Sequence, residues 1–289
     1  MTLGPFALHR PHSLDEAEGL LAQYGDEAVV YCGGTELLLV MKLGLGAYSN
    51  LVDLKGIPEL RVLEERDGML SVGAAVTHRQ LESSPFVQRL FPALADMERR
   101  VANVRVRSVG TLGGNLCFSD PHSDPATFLL ASGAELVCRL GAADRTIPIG
   151  KFVRGPYETA LEANELLPEI RIPVLPAGTA LVHEKFATHE RPAVTVSCFM
   201  RADDGRIGEA RIAVGSVSAR PRRITEAENL LVDVPVESGA DQARVAGEIA
   251  AEAVAPFADL NGSVEYKRNL VRVFVGKCCT AAMERLSQE

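Results

Sequence analysis

The stretch Tyr31-Cys32-Gly33-Gly34-Thr35-Glu36-Leu37 decides the fold, because the short apolar run Ala28 to Cys32 stops at a glycine pair and gives way at once to a helical pattern. A residue without Cβ tolerates φ > 0 and lets the backbone approach a ligand closely, while successive N–H groups at a helix start offer donors and the positive end of a dipole. The turn reads either as a nest that gives backbone N–H groups and the Thr35 hydroxyl to a phosphate, or as a plain strand-to-helix turn. No lysine follows as it does in a P-loop. A second pair, Thr111-Leu112-Gly113-Gly114-Asn115, follows Gly110 and leads into a polar cluster of Ser119, Asp120, Ser123 and Asp124 stiffened by Pro121 and Pro125. Two such turns predict one ligand with two phosphates. A carboxylate beside a diphosphate is unfavourable, so Asp120 and Asp124 are expected to face a hydroxyl or a helix N-terminus, Asp124 capping the helix that runs to Ser132.

Working outward, Ser13 caps a helical pattern from Leu14 to Gln23, and Thr35 is expected to cap a helix whose Leu37, Leu38, Val40 and Met41 suit burial. Gly44 and Gly46 end it before the strand Asn50 to Leu54, which completes a βαβ-like unit. A second unit opens with the strand Met69 to Ala75, a helix capped by Thr77 and one long helical pattern from Phe86 to Val101. Valines alternate with Arg105 and Arg107 from Ala102 to Gly110, which predicts an extended segment entering a long loop up to Asp124. Strands Glu135 to Leu140, Arg145 to Ile149 and Leu166 to Ile172 follow, and Pro173 to Gly178 marks a boundary. Beyond it, Ala180 to Ala187, Ala193 to Arg201 and Arg206 to Val217 predict a three-stranded antiparallel meander with a hairpin turn at Asp203-Asp204-Gly205, and three helical patterns finish the chain. The last, Gly262 to Leu286, reads as a packing helix.

With 289 residues, 47% of them apolar and 24% charged, the chain suits two modest cores. A formal net charge of −8 argues against nucleic acid as a general partner. The local group Arg99, Arg100, Arg105 and Arg107 reads as a solvated face or as a docking surface for acidic groups. Met1 to Arg10 lacks the basic-then-apolar order of a leader and no apolar run reaches membrane-spanning length, so a cytoplasmic protein without a membrane span is expected. The six cysteines form no CxxC pair and are expected to be mostly buried thiols. The six histidines are scattered, and His183 with His189 has no standard metal spacing, so no metal site is expected. Gly44-Leu45-Gly46-Ala47-Tyr48-Ser49 lacks the third glycine of a Rossmann fingerprint.

Taken together, Gly33-Gly34-Thr35-Glu36-Leu37 with Met41-Lys42, Thr111 to Asn115, and Ser119-Asp120-Pro121 resemble the FAD-binding medium subunit of molybdenum hydroxylases. That family holds carbon monoxide dehydrogenase medium subunits and the flavin domain of xanthine dehydrogenase. Further matches are Val72 to Ala75, Arg105 to Ser108, Glu165 to Leu167 with Ile172-Pro173, and Gly262 to Arg268, in order over nearly the whole chain. The resemblance implies an α+β protein with a vanillyl-alcohol-oxidase-type FAD-binding domain over residues 1–177. This divides into α/β subdomains of about 1–56 and 57–177, and a C-terminal α+β domain over 178–289 closes on the flavin. It implies that Tyr31, Cys32, Gly33, Gly34, Thr35, Glu36 and Leu37, with Gly110, Thr111, Gly113, Gly114 and Asn115, hold the diphosphate and ribityl chain. Phe118, Asp120, Ser123 and Asp124 would lie along the ribose, adenine or flavin, and Leu166, Leu167 and Lys185 would complete the pocket. An ammonium at Lys185 near the flavin's pyrimidine edge would raise its reduction potential; its plain reading is a lysine at a strand end.

The implied function is electron transfer within a heterotrimer. Substrate is oxidised at the molybdopterin of a large subunit, electrons cross [2Fe-2S] clusters of a small subunit, and the flavin passes them to an external acceptor; a dimer of heterotrimers is the implied assembly. No residue of this chain is then catalytic. Two other readings stay open: a self-contained FAD-dependent reductase of the same fold, like the enolpyruvyl-glucosamine reductases, and a flavin-free nucleotide-binding subunit. The reductase would want an acid over the flavin, and Ser197, Cys198 and Glu184 have no supporting arrangement in the sequence.

Overall fold

Parallel pairing through a crossover helix organises the N-terminal end, as the βαβ pattern predicts. In the computed structural model, which describes residues 3–188 and 190–288, strands β1 (Ala7–His9) and β2 (Ala28–Tyr31) flank β3 (Asn50–Asp53), both parallel to it. Met1, Thr2, His189 and Glu289 lie outside the described residues, His189 being one of the histidines weighed as a ligand. Helix α1 (Leu14–Tyr24) joins β1 to β2, and Ser13 Oγ caps it by accepting from Glu16 N at 3.2 Å. Helix α2 (Leu37–Lys42) joins β2 to β3.

The second unit is a five-stranded antiparallel sheet in the order β4-β5-β10-β6-β7, comprising β4 (Leu63–Arg66), β5 (Met69–Gly73), β6 (Glu135–Leu140), β7 (Ala143–Pro148) and β10 (Leu166–Pro173). Between β5 and β6 run α3 (His78–Ser83), α4 (Pro85–Leu90), α5 (Pro92–Arg99), α6 (Val104–Val109), α7 (Leu112–Phe118) and α8 (Asp124–Ser132). The short α9 (Ile149–Phe152) and the hairpin β8 (Val153–Gly155) and β9 (Glu158–Thr159) lead to β10. The last part carries β11 (Thr179–Phe186), β12 (Val194–Asp203), β13 (Arg206–Gly215) and β14 (Arg222–Arg223), then α10 (Thr225–Leu231), α11 (Ala240–Ala253) and α12 (Val264–Leu286).

Several expectations need correction. The long helix breaks because Pro92 has no N–H and pushes Phe91 out of the helical region, to φ −145°, leaving α4 and α5. Where extended backbone is predicted at Ala102 to Gly110, α6 forms: Asn103 Oδ1 accepts from both Arg105 N and Val106 N, and this cap overrides the strand preference of the valines. About half of the predicted loop after Gly110 is α7, capped by Thr111 through Gly114 N and stopped by Ser119 at φ 54°. Ser123, one residue before Asp124, caps α8. Thr35 does not cap α2, and no residue of α2 is fully buried. The three-stranded meander gains β14 as a fourth strand, while its predicted turn stands, with Asp204 and Gly205 both at positive φ.

Two apolar clusters share the last sheet. On β12 the residues Val194, Val196, Cys198 and Met200 face α10 to α12, while Phe199 joins Phe128, Leu136 and Ile170 in the other cluster. Helix α8 is therefore covered nearly all round, which explains its run of apolar and small residues. Four cysteines are buried, Cys32 is half-buried and Cys117 exposed. Among the described residues no helix is long and apolar enough to cross a membrane. At Gly113 a Cβ would lie 2.4 Å from Ala74 Cβ, so α7 sits on the end of β5 without a spacer. Gly113→Ala is expected to destabilise the protein by roughly 1–3 kcal/mol, read as a lower urea midpoint at unchanged slope; an unshifted midpoint would show that this contact yields freely.

Candidate functional site

Strand β2 delivers Gly33 to the C-terminal end of α6, and the two glycine turns touch there. A Cβ on Gly33 would lie 2.4 Å from Val109 O and 2.7 Å from Gly110 Cα. Gly34 follows at φ 72°, with the Tyr31 ring packed over it and the Lys55 ammonium over that ring at 3.8 Å. Among the described residues, the N–H groups of Gly34, Thr35 and Glu36 reach no protein acceptor. These three donors lie in the wall of a cleft of about 600 Å³, a size that falls within the roughly 300–1,000 Å³ usual for ligand clefts.

The second turn works differently from expectation. Leu112 N donates to Val76 O, Gly113 N to Ala74 O, Gly114 N to Thr111 Oγ1 and Asn115 N to Thr111 O, so none of these N–H groups is left for an anion. Its glycines allow close packing and an open cleft floor, and the donors left there belong to side chains such as the Asn115 amide. Asn115 Oδ1 is held by the Ser123 hydroxyl at 2.6 Å, which fixes the side chain's orientation.

Of the residues expected from the resemblance, Cys32 to Leu37, Gly110, Thr111, Gly113, Gly114, Asn115, Phe118, Asp120, Ser123, Asp124, Leu166 and Leu167 line this one cleft. Tyr31 stands behind it, under Lys55. Lys185 also lies outside the lining, and its ammonium is already engaged, by Asp124 Oδ2 at 2.9 Å and Arg100 O at 2.5 Å. Lys185 therefore reaches the cleft only through Asp124. Among the four arginines, Arg100 binds His183 O and Glu184, Arg107 binds Glu82 and Val101 O, and Arg99 pairs with Asp96 on the surface. Two are thus structural. No group of three or more His, Cys, Asp or Glu side chains among the described residues is placed to share a metal ion.

Sequence reasoning missed Arg191, His122 and His78. Arg191 sits in the connection from β11 to β12, where no motif marks it; the one signal is a hairpin loop longer than its turn requires. Its guanidinium joins Glu36 Oε2 at 3.3 Å to Asp120 Oδ2 at 3.0 Å, tying the first turn to the far rim. Burial pushes the Glu36 carboxyl above its ordinary value, and Arg191 offsets part of that rise. The chain of charge continues: His122 meets Asp120 Oδ1 at 3.2 Å and Asp259 Oδ2 at 3.0 Å, and the fully buried Lys267 meets Asp259 Oδ2 at 2.7 Å.

These contacts move the three titrating groups apart. The hydrogen bond to Asp120 raises His122 above its ordinary value, against the opposing effect of burial, and Asp259 adds to the rise. Burial works to raise Asp120, but bonds from His122 and the charge of Arg191 hold it below its ordinary value. Asp259 is likewise lowered, burial being outweighed by Lys267, the Asn261 N–H and His122.

The family model for the FAD binding domain in molybdopterin dehydrogenase matches residues 4–175, well over half the chain, and that for the CO dehydrogenase flavoprotein C-terminal domain matches residues 185–282. The chain belongs to this family. Within it, the carbon monoxide dehydrogenase medium chain of Hydrogenophaga pseudoflava is 33% identical over 97% of this chain and 98% of its own length. The xanthine dehydrogenase FAD-binding subunit of Escherichia coli O157:H7 is 30% identical over 95% of both chains. A solved structure of the carbon monoxide dehydrogenase from Hydrogenophaga pseudoflava, in a form lacking the Mo-pyranopterin moiety, superposes with a TM-score of 0.94 over 99% of both chains at 33% identity. The protein is accordingly an FAD-binding flavoprotein of the molybdenum-dependent oxidoreductases, with an antiparallel sheet and helices in its C-terminal part.

The His122 clasp gives a pH signature. A raised histidine contributes stability fully below about pH 6.5, its ordinary value, and loses it as pH rises through the folded value. The lowered aspartates contribute above about pH 3.8 and lose it as pH falls. The clasp is therefore fullest between these limits. His122→Gln is expected to cost about 1–2 kcal/mol at pH 5.5 and distinctly less at pH 8.5 in urea unfolding; an equal cost at both would remove the charged clasp.

Proposed function

We propose that the cleft holds FAD with its diphosphate on the first glycine turn, and that the chain serves as the electron-transfer subunit of a heterotrimeric molybdenum hydroxylase. The observation that carries this reading is the row of unpartnered N–H groups at Gly34, Thr35 and Glu36, held against Gly110 where neither turn has room for a Cβ. Bound FAD supplies the ability to accept electrons from one-electron carriers and hand them to a separate acceptor. The chain's own residues bind and shield. Residues 1–177 contribute the glycine turns, the polar rim from Asp120 to Asp124 and the apolar Leu166 and Leu167. Residues 178–289 contribute Arg191, which covers the cleft by pairing with both rims and neutralises the carboxylates nearest a diphosphate.

The proposed partners are a large molybdopterin subunit and a small [2Fe-2S] subunit, arranged as a dimer of heterotrimers, with an external electron acceptor. Relatives named as a carbon monoxide dehydrogenase medium chain and a xanthine dehydrogenase FAD-binding subunit support that organisation. A self-contained reductase finds less support. Ser197 and Cys198 are fully buried and Glu184 pairs with Arg100, so none of these acids lines the cleft.

Purified full-length protein is expected to show flavin absorption bands, or to gain them on adding FAD, and to co-purify with the two partner subunits. Colourless protein that gains no bands would overturn the reading. Lys185→Ala removes the cation that neutralises Asp124 at the cleft wall, so the midpoint potential of the bound flavin is expected to fall. A redox titration superimposable on wild type would remove Lys185 from any tuning role.

A further inference from the structure

We infer that His78, backed by Glu98, is a diphosphate-binding residue, an inference that rests on the FAD reading above. His78 opens α3 and is buried, with 2% of its surface exposed, yet it lines the cleft. Its Nδ1 lies 2.6 Å from Oε2 of Glu98, a residue of α5 with no exposed surface. The other oxygen of Glu98, Oε1, has no partner among the described residues. His78 is the group that this carboxylate is paired with.

Proton counting decides what the ring shows to the cleft. With a single proton, on Nδ1 and shared with Glu98, the pair carries one negative charge and Nε2 presents only a lone pair. With two protons the pair is neutral overall, whether written as carboxylate and imidazolium or as carboxylic acid and imidazole. In both forms of the neutral pair Nε2 carries a hydrogen. An anion at Nε2 selects the neutral pair, because only there does an N–H face it, and Glu98 fixes the ring's direction.

The donor's place fits an anion. A Cβ on Gly110 would meet His78 Cδ2, the ring carbon bonded to Nε2, at 3.3 Å and Thr35 Oγ1 at 3.6 Å. The imidazole edge therefore sits where the two glycine turns join, on the side of Gly110 that also faces the Thr35 hydroxyl. Nε2 makes no hydrogen bond to the described residues. The second turn gives no backbone N–H from Leu112 to Asn115, and His78 supplies from that side of the junction the donor its glycines do not.

The test measures FAD affinity of the full-length protein by flavin fluorescence, together with the ³¹P resonances of the bound diphosphate. His78→Phe alone leaves Glu98 buried without its partner and is liable to unfold, so it is made together with Glu98→Met, which replaces both partners by apolar groups of similar shape. The double variant is expected to bind FAD roughly tenfold or more weakly and to shift the ³¹P resonances, as loss of a hydrogen bond to a charged group requires. His78→Gln, which keeps a donor, is expected to recover most of the affinity. If wild type binds FAD and the double variant matches it in affinity and ³¹P shifts, His78 has no such role. If wild type binds no FAD, the flavin reading falls and this inference with it.

Discussion

Backbone contact without side chains, Gly33 against Val109 and Gly110, is the constraint on which the site depends. A Cβ there would sit 2.4 Å from a carbonyl oxygen, well inside van der Waals contact, so a side chain at Gly33 separates the first unit from the second. Because the two turns touch, β2 and α6 hold their loop ends in fixed register, and a ligand meets one surface made from two units. The N–H groups of Gly34, Thr35 and Glu36 stay free because the turn that follows β2 takes no bond from its neighbour. Close packing thus creates the donors as well as the space for what they bind.

A second constraint ties this surface to the C-terminal sheet. The face of β11 and β12 that meets α8 carries polar groups as well as apolar ones: Thr195 bonds Thr127 at 2.8 Å, Ser197 bonds His183 at 2.8 Å, and Lys185 pairs with Asp124. Polar groups buried in this way fix register, since each loses water and needs its partners in place. Gly215 belongs to the same seam, where a Cβ would lie 2.0 Å from Thr127 Oγ1. The seam sets α8, and α8 begins at the cleft with Ser123 and Asp124. Domain packing and the cleft rim are one arrangement.

How much of this was legible follows from the range of each interaction. The βαβ start, the Asp204-Gly205 hairpin and the terminal helices were readable because alternation, caps and turn residues act within a few positions of the chain. Caps also explain the failures: Asn103 and Thr111 turned an expected extended segment and loop into α6 and α7, their side-chain oxygens outweighing the valine alternation and the glycine pair. At the site, the motif residues mostly line one cleft, whereas Arg191, His122 and Glu98 matter through partners far along the chain, as in Arg191 with Glu36. Distant pairing leaves no local pattern.

The acidic balance of the chain sharpens the logic of the cleft. A protein of net charge −8 that holds a diphosphate as proposed must offset the carboxylates nearest to it, and several of them are paired with cations. Arg191 takes Glu36 and Asp120, Lys185 takes Asp124, and His122 with Lys267 takes Asp259. None of these cations needs to touch the phosphates. Their effect is to leave short-range donors, namely backbone N–H groups and an imidazole, to act without opposition from like charges. Arg191 and Lys185 reach from the C-terminal part to carboxylates of the N-terminal part, which also supplies the N–H donors of the first turn. The anion site is therefore electrostatically complete only when both parts are folded and in contact.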